Sequence, residues 1–166
     1  MKCIGSLARG ALLTLCALIA SNALAQSTQT TTFLVQTTVA STCAILAGPL
    51  TFGAYIGAQI DSTGTVTVTC TSGSAARVLL DEGPNKAGGS TAASPLRRMS
   101  DGATHYLTYQ LYSDNAGGTV WDNVTGKTLT GSGIAQALTV YGRLPAAQLS
   151  APVGSYSDTI TATVSF

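Results

Sequence analysis

The segment Gly64-Thr65-Val66-Thr67-Val68-Thr69-Cys70 decides the fold class of this chain. Its side chains alternate without a break, so that Val66, Val68 and Cys70 share one face and the threonines share the other. Successive side chains of a strand point to opposite faces, and the pattern therefore predicts a β-strand with an apolar inner face. The cysteine is expected to point inward with the valines.

The same alternation recurs along the chain, separated by breaks rich in Gly, Asp, Asn and Ser. The predicted strands cover residues 50–55, 64–70, 76–80, 96–101, 105–112, 127–130, 136–144 and 155–166, with breaks expected at Gly57 and at residues 61–64. No segment beyond the N-terminus shows an apolar stripe of helical period. Seven to eight short strands at this spacing predict an all-β protein, a β-sandwich of one domain.

The first 25 residues have the pattern of a targeting segment. Lys2 and Arg9 precede or border an apolar run over residues 11–20, and Ala23-Leu24-Ala25 is the small-x-small pattern that precedes a signal-peptidase cut. The run is too short to cross a bilayer. We expect residues 1–25 to be a signal peptide, removed after Ala25, and the mature protein to be exported.

The cysteines support an oxidising compartment. Cys3 and Cys16 leave with the signal segment, whereas Cys43 and Cys70 remain as an even pair. A disulfide between them is the plain interpretation for an exported protein, and two separate buried thiols are the alternative.

The charge of the mature chain is small. Without Lys2 and Arg9, six of the eight basic residues remain against seven acidic ones, a formal net charge of −1, and only 9% of the chain is charged. Such a chain offers no electrostatic attraction to nucleic acid or to an anionic membrane. It also has little charge with which to oppose the edge-to-edge association of strands.

The stretch behind the signal segment is a strand at a free end. Phe33, Val35 and Val39 recur at a spacing of two with Thr37 between them, although Leu34 departs from the alternation. A terminal strand can pair within its own domain or with a neighbouring molecule without breaking the chain behind it.

Residues of catalytic type are few and scattered. His105 is the only histidine and lies in a strand pattern. We interpret it as a polar strand residue, and a general base or metal ligand is the alternative. Asp81 and Glu82 are adjacent, so in a strand they would point to opposite faces. No nucleophile elbow, phosphate loop or dinucleotide motif occurs, and we predict no enzyme, no catalytic residue, no metal site and no cofactor.

Two features leave a binding role open. The long Gly-rich loop of residues 81–95 is expected to be either mobile or a binding surface. Trp121 with Tyr106 and Tyr112 could form a platform on which sugars stack, or could belong to the core and the sheet surface.

Several motifs, taken in their order along the chain, resemble those of a known family. They are the N-terminal strand running into Cys43, Leu50-Thr51-Phe52-Gly53-Ala54-Tyr55, Val66-Thr67-Val68-Thr69-Cys70-Thr71, residues 107–114, Val140-Tyr141-Gly142-Arg143-Leu144-Pro145-Ala146, and residues 154–166. In this order and spacing the chain resembles the spore coat protein U domain family, which includes pilins of the archaic chaperone-usher pathway. The resemblance covers essentially the whole mature chain.

The resemblance implies an immunoglobulin-like sandwich that lacks its last strand and is completed by a donated one. A periplasmic chaperone would lend a strand, an outer-membrane usher would exchange it, and the N-terminal strand of the next subunit would then fill the cleft. Residues 26–40 would be the donor segment and residues 41–166 the pilin domain. The resemblance implies that the donor residues are Phe33, Val35, Thr37 and Val39. It also implies that the residues lining the cleft and contacting the chaperone are Ile160, Ala162, Val164 and Phe166.

Three functions follow as hypotheses. The first is a subunit of a surface pilus, homopolymeric, passing through the periplasm and supporting adhesion and biofilm formation. The second is a secreted spore-coat or matrix protein with a complete sandwich, in which residues 33–39 pair within their own domain. The third is a carbohydrate-binding module that uses Trp121 and the loop of residues 81–95.

Overall fold

The computed structural model describes residues 26–166, so the predicted signal segment lies outside the described residues. The described chain divides after Thr37 into an N-terminal segment and a compact domain, Thr38–Phe166. The N-terminal segment contains no helix and no strand. In residues 26–166 no helix has the length and apolarity needed to cross a membrane.

The domain consists of eight antiparallel strands in two sheets. They are β1 (Cys43–Ala47), β2 (Ile60–Cys70), β3 (Ala75–Leu80), β4 (Arg97–Ser100), β5 (Tyr106–Tyr112), β6 (Lys127–Thr130), β7 (Ala135–Leu144) and β8 (Ala162–Ser165). The first sheet has the order β1-β2-β7-β5-β4, and the second has the order β6-β3-β8. The prediction of an all-β protein with two layers is confirmed.

The longest ladder joins β2 to β7 and forms the centre of the first sheet. The two strands pair from Ile60 opposite Leu144 to Thr69 opposite Ala135. The predicted break at residues 61–64 is therefore wrong, because pairing with β7 carries β2 through Gly64 despite the weak strand propensity of glycine. Pro145 ends β7 as predicted, since proline cannot donate to a ladder.

The core lies between the inner faces of the two sheets. Val66, Val68 and Cys70 are buried as predicted, and Val78 and Leu107 are buried with them. Trp121 is only 1% exposed and its indole N–H donates to the carbonyl of Val78 at 2.8 Å. A sugar-stacking role for Trp121 is therefore wrong, because the ring faces the core.

Residues 33–39, predicted as a strand, form none in the structure, and two further predicted strands differ from it. Residues 50–55 form no ladder, because Leu50 and Phe52 lie over the inner face of the first sheet, where a Cβ on Gly142 would come within 2.9 Å of both side chains. The closing strand is limited to β8, since the chain changes sheets along its length. Ser157 pairs with Ser100 beside the first sheet, whereas β8 pairs with β3 in the second.

A disulfide joins β1 to β2. Cys43 and Cys70 stand directly opposite each other in the antiparallel register and are bonded, with their Cα atoms 4.1 Å apart. The predicted pairing is confirmed. The bond fixes the first residue of β1 to the last residue of β2.

The sandwich has two ends, which we call the linker pole and the far pole. The linker pole contains Cys43, the turn of residues 71–74 and the turn of residues 131–134. The far pole contains the first residue of β2, the last residue of β7 and the loop of residues 145–153.

Candidate functional site: an open cleft between the sheets

Two unpaired strand edges face each other along one side of the sandwich. β1 pairs only with β2, and β8 pairs only with β3, although β1 and β8 are neighbours in space. The first sheet has five strands and the second three, so part of the first sheet's inner face has no opposing strand. An unpaired edge presents free N–H and C=O groups that can pair with another chain.

The uncovered part of the core is a cleft of about 730 Å³. It lies between residues 47–55 on one side and residues 154–162 on the other. Its floor is formed by apolar side chains of β2, β5 and β7, including Val66, Leu107, Leu111, Val140 and Leu144. Asp158 is the only charged residue among those that line it.

The predicted cleft residues of the closing segment are placed in two groups. Ile160 and Ala162 line the cleft and pack against the core. Val164 packs against the core outside the cleft, and the Phe166 side chain is exposed. The structure thus brings two of the four residues to the cleft.

The first wall, residues 48–55, is held by few polar contacts. Gly48 N–H donates to the carbonyl of Thr65 at 2.8 Å, and Ser62 Oγ donates to the carbonyl of Thr51 at 2.7 Å. The hydroxyl of Tyr55 donates to the carbonyl of Pro145 at 2.9 Å. Most of this wall's backbone is therefore free to pair with an added strand.

The second wall is fixed by a carboxylate. Asp158 accepts hydrogen bonds from the Tyr109 hydroxyl at 2.8 Å and from the Asn85 side-chain amide at 2.9 Å. Burial, and then the hydrogen bond to Asp158, raise the pKa of Tyr109 well above its usual value, so the phenol remains a donor. The two bonds hold the segment around Asp158 against β5 and the loop of residues 81–95.

A buried arginine in β4 was not anticipated from the sequence. Arg97 is 1% exposed, and its guanidinium donates to the carbonyls of Leu80, Asp81 and Trp121 and to the Gln110 side chain, at 2.6–3.0 Å. Burial lowers the pKa of Arg97, yet arginine keeps its charge at all ordinary pH values. The sequence held one signal, because two consecutive arginines in a strand must place one of them inward.

The other candidate residues have structural partners. Asp81 accepts from the backbone N–H groups of Gly83 and Thr161, at 3.1 and 2.9 Å, which ties the loop of residues 81–95 to the closing segment. Glu82 pairs with Lys86 at 3.0 Å. The His105 ring lies within hydrogen-bonding distance of the Asp101 carboxylate, at 2.7 Å and exposed, and no trio of metal-ligating side chains occurs within residues 26–166.

The side chains of the predicted donor residues are exposed to solvent. Phe33, Val35 and Val39 are 78–85% exposed, Thr37 is exposed, and no residue of 26–42 belongs to a strand. The linker of residues 40–42 is held at the linker pole. There Thr71 N–H donates to the carbonyl of Thr42 at 2.9 Å, and Thr71 Oγ1 donates to the carbonyl of Ala40 at 3.3 Å.

Residues 29–163 match the Spore Coat Protein U domain. The chain belongs to this family. Among curated proteins it is similar to Protein U of Myxococcus xanthus, with 41% identity over 130 residues that cover 72% of each chain. The family resemblance inferred from the sequence motifs is confirmed.

A solved structure shares the fold of this Spore Coat Protein U domain. It is the CsuC-CsuE chaperone-tip adhesion subunit pre-assembly complex from archaic chaperone-usher Csu pili of Acinetobacter baumannii. The similarity has a TM-score of 0.55 at 22% identity and covers 78% of this chain and 40% of that chain. At this identity the likeness shows the fold, an all-β sandwich similar to a protein of a pilus assembly complex.

Proposed function

We propose that this protein is the structural subunit of a fibre that grows by donor-strand exchange. In this assembly the N-terminal strand of one copy fills the cleft of the next. The observation that carries the proposal is the presence, in one chain, of an open apolar cleft between two free strand edges and of an exposed alternating segment with no ladder partner.

The donor segment and the cleft agree in length and in chemistry. Residues 33–39 span about 20 Å when extended, at about 3.4 Å per residue. The first wall of the cleft contains eight residues, 48–55, and is long enough to pair with all seven. Burial of Phe33, Val35 and Val39 contributes roughly 1.5–3 kcal/mol for each side chain, before the cost of ordering the segment.

An open cleft needs a partner before a neighbouring copy arrives. The solved relative of this fold is a complex of a chaperone with a pilus subunit. For this chain we include in the proposal a periplasmic chaperone that lends a strand, an outer-membrane usher that exchanges it, and a pilus on the cell surface that supports adhesion and biofilm formation. Cleavage of residues 1–25 would free the donor segment.

The family name and the similarity to Protein U favour a second candidate, a secreted coat protein with a complete sandwich. That candidate requires residues 33–39 to pair within their own domain. A complete sandwich would leave no open cleft between free strand edges, so the cleft of the domain favours the first proposal.

The test compares two purified proteins by thermal unfolding and size-exclusion chromatography. One is residues 26–166, and the other carries an additional copy of residues 26–39 tethered after Phe166. β8 begins at the cleft with Ala162 and runs toward the linker pole, where Ser165 lies opposite Arg77. Residues 26–32 of the tethered copy span up to about 24 Å, which is long enough to turn back along β8 and bring residues 33–39 to the cleft of the same molecule. We expect the tethered protein to be a stable monomer and the parent to be less stable or polymeric.

A matched control carries Phe33→Asp and Val35→Asp in the tethered copy only. Charged side chains are costly to bury, so this copy should not stabilise the domain. Equal stability of the parent, the tethered protein and the control, all monomeric, would refute the open cleft and support the coat-protein alternative.

A further inference from the structure

Three exposed apolar side chains flank the mouth of the cleft at the far pole. Ile56 follows Tyr55 on the first wall, and Val153 precedes Gly154 on the second; both wall residues line the cleft. Leu149 lies in the same loop as Val153 and is 73% exposed. The loop of residues 145–154 contains no charged residue. We name Ile56, Leu149 and Val153 the mouth patch.

The cleft opens toward the far pole. β1 and β8 lie beside each other in the half nearest the linker pole, whereas residues 48–55 and 154–161 are separated by the cleft. A strand that fills the cleft must be joined to a domain too large to enter it. The connecting chain therefore leaves the cleft at its open end, beside the mouth patch.

The connection between donor segment and domain is short. Residues 40–42 separate Val39 from Cys43, and four residue steps span at most about 14 Å. Thr71 and Ser74 hold this linker through bonds to Ala40, Thr42 and Ser41. The linker pole of the donating copy must consequently lie against the mouth of the accepting copy.

The two turns of the linker pole are uncharged, and one of them presents a large apolar side chain. Ile134 is 71% exposed in the turn after β6, and residues 71–75 and 131–135 contain no charged residue. A contact between opposite poles of identical molecules is heterologous, and a heterologous contact that does not close into a ring generates an open chain of subunits.

Resting on the proposed function, we infer that the interface between successive subunits extends beyond the donor strand. The mouth patch of one copy binds the linker pole of the next, centred on Ile134. This second contact buries the apolar groups that the cleft leaves exposed, and it sets the angle between neighbouring subunits.

The test is chemical cross-linking in fibres assembled from the mature chain. The variant Ile134→Cys with Leu149→Cys is treated with a short bismaleimide; Cys43 and Cys70 are bonded to each other and do not react. The expected result is a ladder of covalent multimers on a denaturing gel. The matched control is Val124→Cys with Leu149→Cys, because Val124 is also exposed but lies away from the linker pole, near Arg77.

The outcomes separate the two proposals. Fibres that give no ladder with the Ile134 pair, or as much ladder with the Val124 pair, would overturn the second contact and leave donor-strand exchange intact. Absence of fibres from the parent chain would overturn both. As an independent measurement, Leu149→Glu should speed fibre dissociation, and adding Ile134→Lys should reverse part of that loss.

Discussion

Loss of the Cys43–Cys70 bond is expected to lower the free energy of unfolding by about 3.5 kcal/mol. The bond closes a loop with a sequence separation of 27 residues. The loop-entropy relation gives about 12 cal/mol/K for this length, or roughly 3.5 kcal/mol at 25 °C. For a domain of this size the melting temperature should fall by roughly 10 °C.

The measurement is urea unfolding of the tethered monomer, with and without reductant, beside the variant Cys43→Ala with Cys70→Ala. Reduction reports the cross-link alone. The variant also removes the buried sulfur of Cys70 and should lose about 1 kcal/mol more through imperfect packing. Reductant must leave the variant unchanged. A difference below about 1 kcal/mol between oxidised and reduced protein would refute the account in which the bond constrains the unfolded chain.

Two further substitutions test the cleft wall and the acid stability of the fold. Gly142→Ala places a Cβ within 2.9 Å of Leu50 and Phe52, so it should displace the first wall and slow binding of a peptide of residues 26–39; Gly88→Ala, with open space around it, is the control, and equal binding rates would contradict the role of Gly142. Although burial opposes the shift, the backbone N–H groups of Gly126, Val124 and Thr125 hold the pKa of Asp122 below its usual value. The lowered pKa in the fold means that the stabilisation is present above about pH 4 and is lost as the pH falls through the folded pKa. Asp122→Asn should therefore flatten this part of the acid-unfolding curve, and an unchanged curve would show that another carboxylate is responsible.

The sequence predicted those parts of the fold that depend on side-chain alternation. Val66, Val68 and Cys70 lie inward as their spacing indicates, and β6 has the bounds that were predicted. The failures concern backbone partners, which alternation does not specify. Residues 50–55 alternate like a strand, yet glycines on the neighbouring strands let them lie over the sheet instead of beside it.

The candidate site was predicted by resemblance more than by chemistry. Ile160 and Ala162 line the cleft, but the alternation of side chains did not distinguish Leu107, Leu111 and Leu144 of its floor from other core residues. Whether a core residue is also a cleft residue depends on the number of strands in the opposite sheet, which the spacing of strands along the chain does not fix. The burial of Arg97 depends on backbone carbonyl groups from two distant segments, residues 80–81 and Trp121, and such convergence has no signature in a local pattern.

The position of the disulfide has a mechanical consequence for a fibre joined through the linker. Tension along the fibre would reach the domain at Cys43, the first residue of β1, where it would otherwise peel β1 from β2 one hydrogen bond at a time. The bond to Cys70 passes this force directly to β2, which is paired with β7 over ten residues. The load then acts in shear along the long ladder between β2 and β7, and β1 is not the first strand to yield.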